Sequence, residues 1–223
     1  MAGAALPPPA LYVHVPFCLR KCFYCDFASE AVTQEAVEQY LKALAWEADQ
    51  ALASWPCGWE VPSIYMGGGT PTALAPAQLE AVLAVAARFP RAAGAEWTVE
   101  ANPGTVDREK LCLLRAAGVN RLSLGVQSFD DALLAFLGRI HTAAEACAAW
   151  EAARAAGFTN LSLDLIYAIP GQTLAVWRAT LQQALALAPE HVSAYSLTIE
   201  PGTAFGRRAA AGILTAVPDD LDL

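Results

Sequence analysis

The chain has 223 residues, enough for one domain with a sizeable core, and 56% of them are hydrophobic, which argues against disorder. Fourteen Lys and Arg stand against 22 Asp and Glu, a formal charge of −8 with no basic cluster, so nucleic acid is excluded as an expected partner. No uncharged apolar run approaches bilayer-spanning length, residues 1–10 lack the basic residues of a secretory leader, and six Cys without such a leader point to a reducing, cytoplasmic setting.

In chain order, six short β-like runs alternate with Ala- and Leu-rich helical patterns. The runs are residues 11–17, 63–66, 97–100, 121–126, 160–167 and 191–199. Helical patterns cover residues 34–53, 76–88, 107–117, 142–156 and 174–188. Pro76 can open a helix, Thr142 and Thr173 can cap one, and Gly118 and Gly157 sit just past helix ends. Near-continuous apolar runs such as residues 161–166 suit parallel strands covered by helices. Alternating strands and helices then imply right-handed βαβ crossovers and a partial or closed α/β barrel. Residues 203–214 can start a further helix, and Val217-Pro218-Asp219-Asp220 reads as the cap of another.

The first run leads into Cys18, Cys22 and Cys25, spaced C-x3-C-x2-C. Thiolates suit zinc, copper(I) or iron–sulfur clusters. Structural zinc takes four ligands, and no fourth Cys or His follows nearby. Three thiolates on a four-iron cluster leave one iron open to a small molecule. Three reduced thiols, or a zinc site completed by His14 or Asp26, remain as alternatives on spacing alone. The other thiols differ in setting. Cys57 lies in a Pro–Gly loop, whereas Cys112 and Cys147 fall in helical patterns, where Cys acts as a small buried apolar group. His14 and His141 have no clear role, and His191 opens a strand at the surface.

Ligands of α/β barrels bind at the C-terminal ends of the strands. Here those ends carry Gly67-Gly68-Gly69-Thr70-Pro71, then Glu100-Ala101-Asn102-Pro103, then Gln127-Ser128, with Asp164 on the fifth run and Thr198-Ile199-Glu200 on the sixth. Three glycines permit close backbone approach, and their amides can meet an anionic or zwitterionic ligand, although a tight turn also explains them. The spacing fits neither a P-loop nor a dinucleotide fingerprint. Glu100 at a buried strand end needs a partner. Gln127 offers a donor and an acceptor, Arg139 prefers carboxylates, and Asp164 between apolar neighbours calls for a specific contact.

Residues 12–18 through Cys25-Asp26-Phe27, together with Gly67-Gly68-Gly69-Thr70-Pro71, resemble the radical S-adenosylmethionine (SAM) enzymes. More narrowly, they resemble the group that holds oxygen-independent coproporphyrinogen III oxidase and the HemW-type heme chaperones. The resemblance implies a partial six-stranded (β/α)6 barrel of the α/β class, open on one side. It implies a [4Fe–4S] cluster on Cys18, Cys22 and Cys25, whose open iron chelates the amino and carboxylate groups of SAM, and an electron donor for the cluster. By resemblance Tyr12, Gly68 and Glu100, with the backbone near Thr198, serve that SAM. Tyr24, Gly69, Thr70, Gln127, Arg139 and Asp164 match a second SAM site in the oxidase.

A heme chaperone is the expected function, with heme as cargo and a heme-accepting protein as partner; the oxidase is the alternative. The oxidase carries a further Cys two residues beyond the third, where Phe27 stands here, and a longer segment before its cluster loop than the 17 residues that precede Cys18. The expected organisation is an N-terminal tail over 1–10, a barrel over 11–202, and over 203–223 the start of a C-terminal region that is otherwise absent.

Overall fold

The computed structural model describes residues 9–218. Most of the tail read over 1–10, and the Asp219-Asp220 cap, lie outside the described residues. Six parallel strands make one sheet in sequence order: β1 (Leu11–Val15), β2 (Val61–Gly68), β3 (Arg91–Ala101), β4 (Arg121–Gln127), β5 (Leu161–Tyr167) and β6 (His191–Ser196). The crossovers carry α1 (Gln34–Ala53), α2 (Pro76–Ala86), α3 (Arg108–Ala117), α4 (Asp131–Leu137), α5 (Ala143–Ala155) and α6 (Leu174–Ala186), and α7 (Ala204–Ala210) follows β6. β1 and β6 are the two edges of the sheet, so the partial, open form expected from the sequence is the one found among the described residues.

Period-two alternation divides the sheet into two faces. Ile64 and Met66 pair with Trp97 and Val99, and Leu122 pairs with Leu161. All six are buried in the main core under the helices, where each contributes about 1.5–3 kcal/mol by burial. The opposite face carries Tyr12 opposite Tyr65, Glu100 opposite Ser123, and Asp164 opposite both Gly125 and Ser193. One face is thus a dry core and the other a polar floor.

The helix ends follow local chemistry. Thr33, Asp107, Thr142 and Thr173 each accept a backbone N–H at the start of a helix, and Thr142 forms a reciprocal pair with Glu145. Gly118 closes α3 at φ 98°. Three features differ from the sequence reading. α4 is a short helix that the periodicity did not show, capped by Asp130 and stopped by Gly138. β3 begins at Arg91, because an exposed segment of small residues is recruited by pairing with Val61. β6 stops at Ser196, where Leu197 N–H still reaches Tyr167 O at 2.9 Å before the chain turns.

A second, smaller core sits at the rim. Phe205 of α7, Leu197 and Leu214 pack with Leu133, Leu137, Ile166 and Ile169. The helix begun at Thr203 therefore seats against α4 and the strand ends, beside the Cys loop.

Candidate functional site

The loop that carries the three thiols is tied at both ends. Residues Phe17–Cys18 and Glu30–Ala31 form a two-residue parallel ladder that draws the ends together. The glycine turn after β2 is pinned to the loop's start, since Gly69 N–H donates to Val15 O at 2.8 Å and Thr70 N–H to Phe17 O at 2.7 Å. A Cβ on Gly69 would lie 2.6 Å from the Phe17 carbonyl oxygen. Gly68 has φ +107°, and a Cβ there would strike the His14 ring. These glycines are demanded by the protein's own crowding, beyond any ligand that approaches them.

His14 Nε2 donates to Ala28 O at 2.8 Å, which leaves Nδ1 to accept from Tyr12 OH at 3.0 Å. Nε2 ties the loop's far end to β1 and Nδ1 is taken by Tyr12 of the same strand, so the alternative in which His14 completes a zinc site is not supported by its geometry. Lys21 Nζ donates to Phe27 O at 2.9 Å and Ser29 O at 3.3 Å, and Arg20 donates to Gly138 O at 3.0 Å and Arg139 O at 2.6 Å. At mid-loop, Phe23 N–H donates to Leu137 O and Phe23 O accepts from Phe205 N–H.

The thiols are free and partly buried. Cys18 Sγ lies 3.7 Å from Thr70 Oγ1, and Arg139 Nη1 donates to Cys22 Sγ at 3.2 Å. Burial pushes the Cys25 thiol up, with the neighbouring thiols adding to the shift and a backbone hydrogen bond at Phe27 opposing it. Among the described residues no three His, Cys, Asp or Glu side chains converge tightly enough to hold one metal ion. A single tetrahedral ion would draw its sulfurs to about 2.3 Å from one point, whereas a cluster distributes its thiolates over separate irons. The three sulfurs, spread along one cleft beside a buried Arg139 Nε that has no partner, fit the second kind of group.

That cleft has a volume of about 570 Å³ and gathers nearly every residue singled out in the sequence. Cys18, Cys22, Cys25, Tyr24, Gly68, Gly69, Thr70, Glu100, Gln127, Arg139, Asp164 and Thr198 all line it. Glu100 accepts Tyr65 OH at 2.6 Å and Gly68 N–H at 3.1 Å, which answers the partner its burial demands. Asp164 accepts Ser123 Oγ–H at 3.0 Å to each oxygen and a bond from Ser193; burial pushes its carboxyl above the ordinary range against those bonds. Gln127 sits at φ 69°, at a register shift between β4 and β5. A left-handed non-glycine residue at a cleft is a held conformation. Burial, chiefly, pushes the Tyr24 phenol up, and Tyr24 also bonds Cys22 and Arg139.

Tyr12 is the exception. It is 56% exposed, stacks on Tyr65 at 6.1 Å between centroids, and stands outside the cleft lining. Several lining residues were not singled out in the sequence, among them Tyr65, Arg121 and Ser123. The signal for them was the alternation along β2 and β4, which puts Tyr65, Arg121 and Ser123 on the same face as Glu100. His141, ambiguous in the sequence, is buried between strand ends, with Nε2 donating to Val126 O at 3.1 Å and Nδ1 2.9 Å from Asn102 Oδ1. Cys112 is exposed, so it is not the buried apolar group its helical setting suggested. Cys57 is also exposed, and Cys147 accepts from Gln183 Nε2 at 3.5 Å.

Residues 12–184 match the Radical SAM superfamily. The chain is 44% identical over 217 residues to heme chaperone HemW of Escherichia coli strain K12, covering 96% of this chain and 56% of that protein. It is 41% identical to heme chaperone HemW of Bacillus subtilis strain 168, covering 94% and 55%. The chain thus spans a little over half the length of these curated relatives. Among solved structures it is similar to coproporphyrinogen III oxidase (HemN) from Escherichia coli, described as a radical SAM enzyme, with TM-score 0.83, 32% identity, and coverage of 96% of this chain and 48% of that one. No helix of the described residues is long and apolar enough to cross a membrane.

Proposed function

The chain belongs to the radical SAM superfamily, and from that premise we propose that it is the barrel of a HemW-type heme chaperone. Cys18, Cys22 and Cys25 hold a [4Fe–4S] cluster and the glycine rim holds SAM. When bound, a cluster on three thiolates would supply an open iron and a source of one electron. The protein's part is to seat, orient and shield. The Arg139 guanidinium steadies Cys22, the pinned Gly68–Thr70 turn presents a fixed backbone wall, and Glu100 is held in place by Tyr65 and Gly68. Gln127 and Asp164 line the same cleft and are assigned to SAM, in the second-site role that the oxidase resemblance implies. The observation that carries this reading is the convergence of three free thiols, a glycine turn and four polar strand-end residues on one cleft.

The chaperone is preferred to the oxidase for two reasons. The HemW relatives are 39–44% identical, against 32% for the oxidase structure. Phe27, 59% exposed and lining the cleft, stands where the oxidase resemblance calls for a further Cys, and an aromatic ring does no thiol chemistry. The oxidase reading is kept as second because of the structural likeness. Heme is the proposed cargo, a heme-accepting protein and an electron donor are the proposed partners, and the cytoplasm is the proposed setting. The test is anaerobic turnover of coproporphyrinogen III beside a heme titration, both on the intact, cluster-loaded protein. Heme binding without decarboxylation supports the chaperone, and protoporphyrinogen formation at enzymic rates promotes the oxidase.

A further inference from the structure

Three guanidinium groups line the cleft. Arg20 is given to two backbone carbonyls, and Arg139 to Gly125 O and Cys22 Sγ. Arg121, on the polar floor, has one weak acceptor, Thr98 Oγ1 at 3.3 Å from Nη1. Both ion pairs found among the described residues lie elsewhere. Neither neighbouring acid bonds it, although its charge lies near enough to Asp164 to oppose the rise in that carboxyl's pKa. Glu100 is satisfied by Tyr65 OH and Gly68 N–H, and Asp164 by Ser123 and Ser193, all neutral donors. The cleft floor therefore holds a planar, permanently charged fork with donors to spare, and such a fork matches a carboxylate. The exposed ring of Tyr195 and the apolar side chain of Ile166 line the same cleft.

We propose that Arg121 is the carboxylate-receiving residue of the cleft floor, and that the carboxylate is a propionate of the tetrapyrrole cargo. The choice of cargo rests on the function proposed above; the carboxylate chemistry rests on Arg121 alone. The other source is the amino-acid carboxylate of SAM, which the family resemblance directs to the open iron. A tetrapyrrole entering beneath the cluster loop would lay its apolar body along Tyr195 and Ile166 and direct a propionate to Arg121.

The test uses the intact, cluster-loaded protein and its Arg121→Gln and Arg121→Lys variants, with iron content confirming that each is loaded. Affinities are measured for heme, for heme dimethyl ester and for SAM. The wild type should prefer heme to its diester by roughly tenfold, and Arg121→Gln should lose roughly tenfold in heme affinity and lose the preference, since a charge-assisted pair is at stake. Arg121→Lys should fall between, because it keeps the charge without the fork. A comparable loss for SAM alone, with heme unchanged, keeps the carboxylate role and assigns it to SAM. If the wild type binds neither tetrapyrrole, the chaperone reading fails and the SAM arm decides Arg121. Unchanged affinities in every arm that binds would overturn the proposal.

Discussion

Arg139 donates to Cys22 Sγ at 3.2 Å and to Gly125 O at 2.5 Å, joining the middle thiol of the loop to the end of β4. One side chain therefore belongs both to the proposed cluster loop and to the proposed SAM cleft. Arg139→Met leaves the partly buried Gly125 carbonyl without this donor, at a cost of about 1 kcal/mol, and removes the positive charge from beside Cys22. Both a lower unfolding midpoint and a several-fold faster loss of iron to a chelator are expected. Arg139→Lys should lie between, since a single ammonium cannot reproduce the fork. Urea melts and iron-release kinetics check both. Normal iron retention in Arg139→Met would confine Arg139 to the SAM side of the cleft.

The glycine turn yields a second prediction. Gly68 combines φ +107° with a site where a Cβ would strike the His14 ring. Gly68→Ala should destabilise the protein by about 1–3 kcal/mol through backbone strain, and should displace the ring that ties Tyr12 to Ala28. Adding His14→Ala removes the clash but not the strained φ, so the double variant should recover only part of the loss. Thermal melts read the stability. The SAM-induced change in the electron paramagnetic resonance signal reads whether the turn still presents its backbone. Full stability in Gly68→Ala would contradict the crowding described here.

His141 supplies the pH dependence. Burial, and then the Arg139 charge, depress its pKa to about 4 from an unfolded value near 6.5. The folded state therefore binds fewer protons than the unfolded state between these values. Stability is intact above about pH 6.5 and declines as pH falls toward 4. In His141→Gln that part of the decline should vanish, leaving a shallower acid slope. Urea melts at pH 7, 5.5 and 4.5 compare the two proteins. Parallel slopes would remove His141 from the account.

Much of this was legible in the sequence where the signal was local. The helix over 34–53 has the bounds the periodicity indicated, because Thr33 caps it and its apolar positions repeat over five turns. The cleft residues at strand ends were found because a barrel delivers every strand's C-terminus to one rim. What was not legible depended on register or on crowding. α4 is too short to display a period, though Asp130 and Gly138 bracket it. Tyr65, Arg121 and Ser123 are reached only by assigning each strand's faces, which requires knowing the partners across the sheet. That Gly68 yields to His14, and that Tyr12 turns to His14 rather than into the cleft, follow from side-chain contacts that no spacing encodes.

The central claim is that three particular thiols hold a four-iron cluster with one iron left for SAM. Mössbauer spectroscopy on anaerobically reconstituted protein tests it most directly, with and without SAM. The expected result is four irons per chain, one of them responding to SAM. Cluster assembly should be lost in Cys18→Ala, Cys22→Ala and Cys25→Ala, and kept in the Cys57, Cys112 and Cys147 variants. Normal cluster loading in Cys22→Ala, or a spectrum with no iron that answers to SAM, would contradict it.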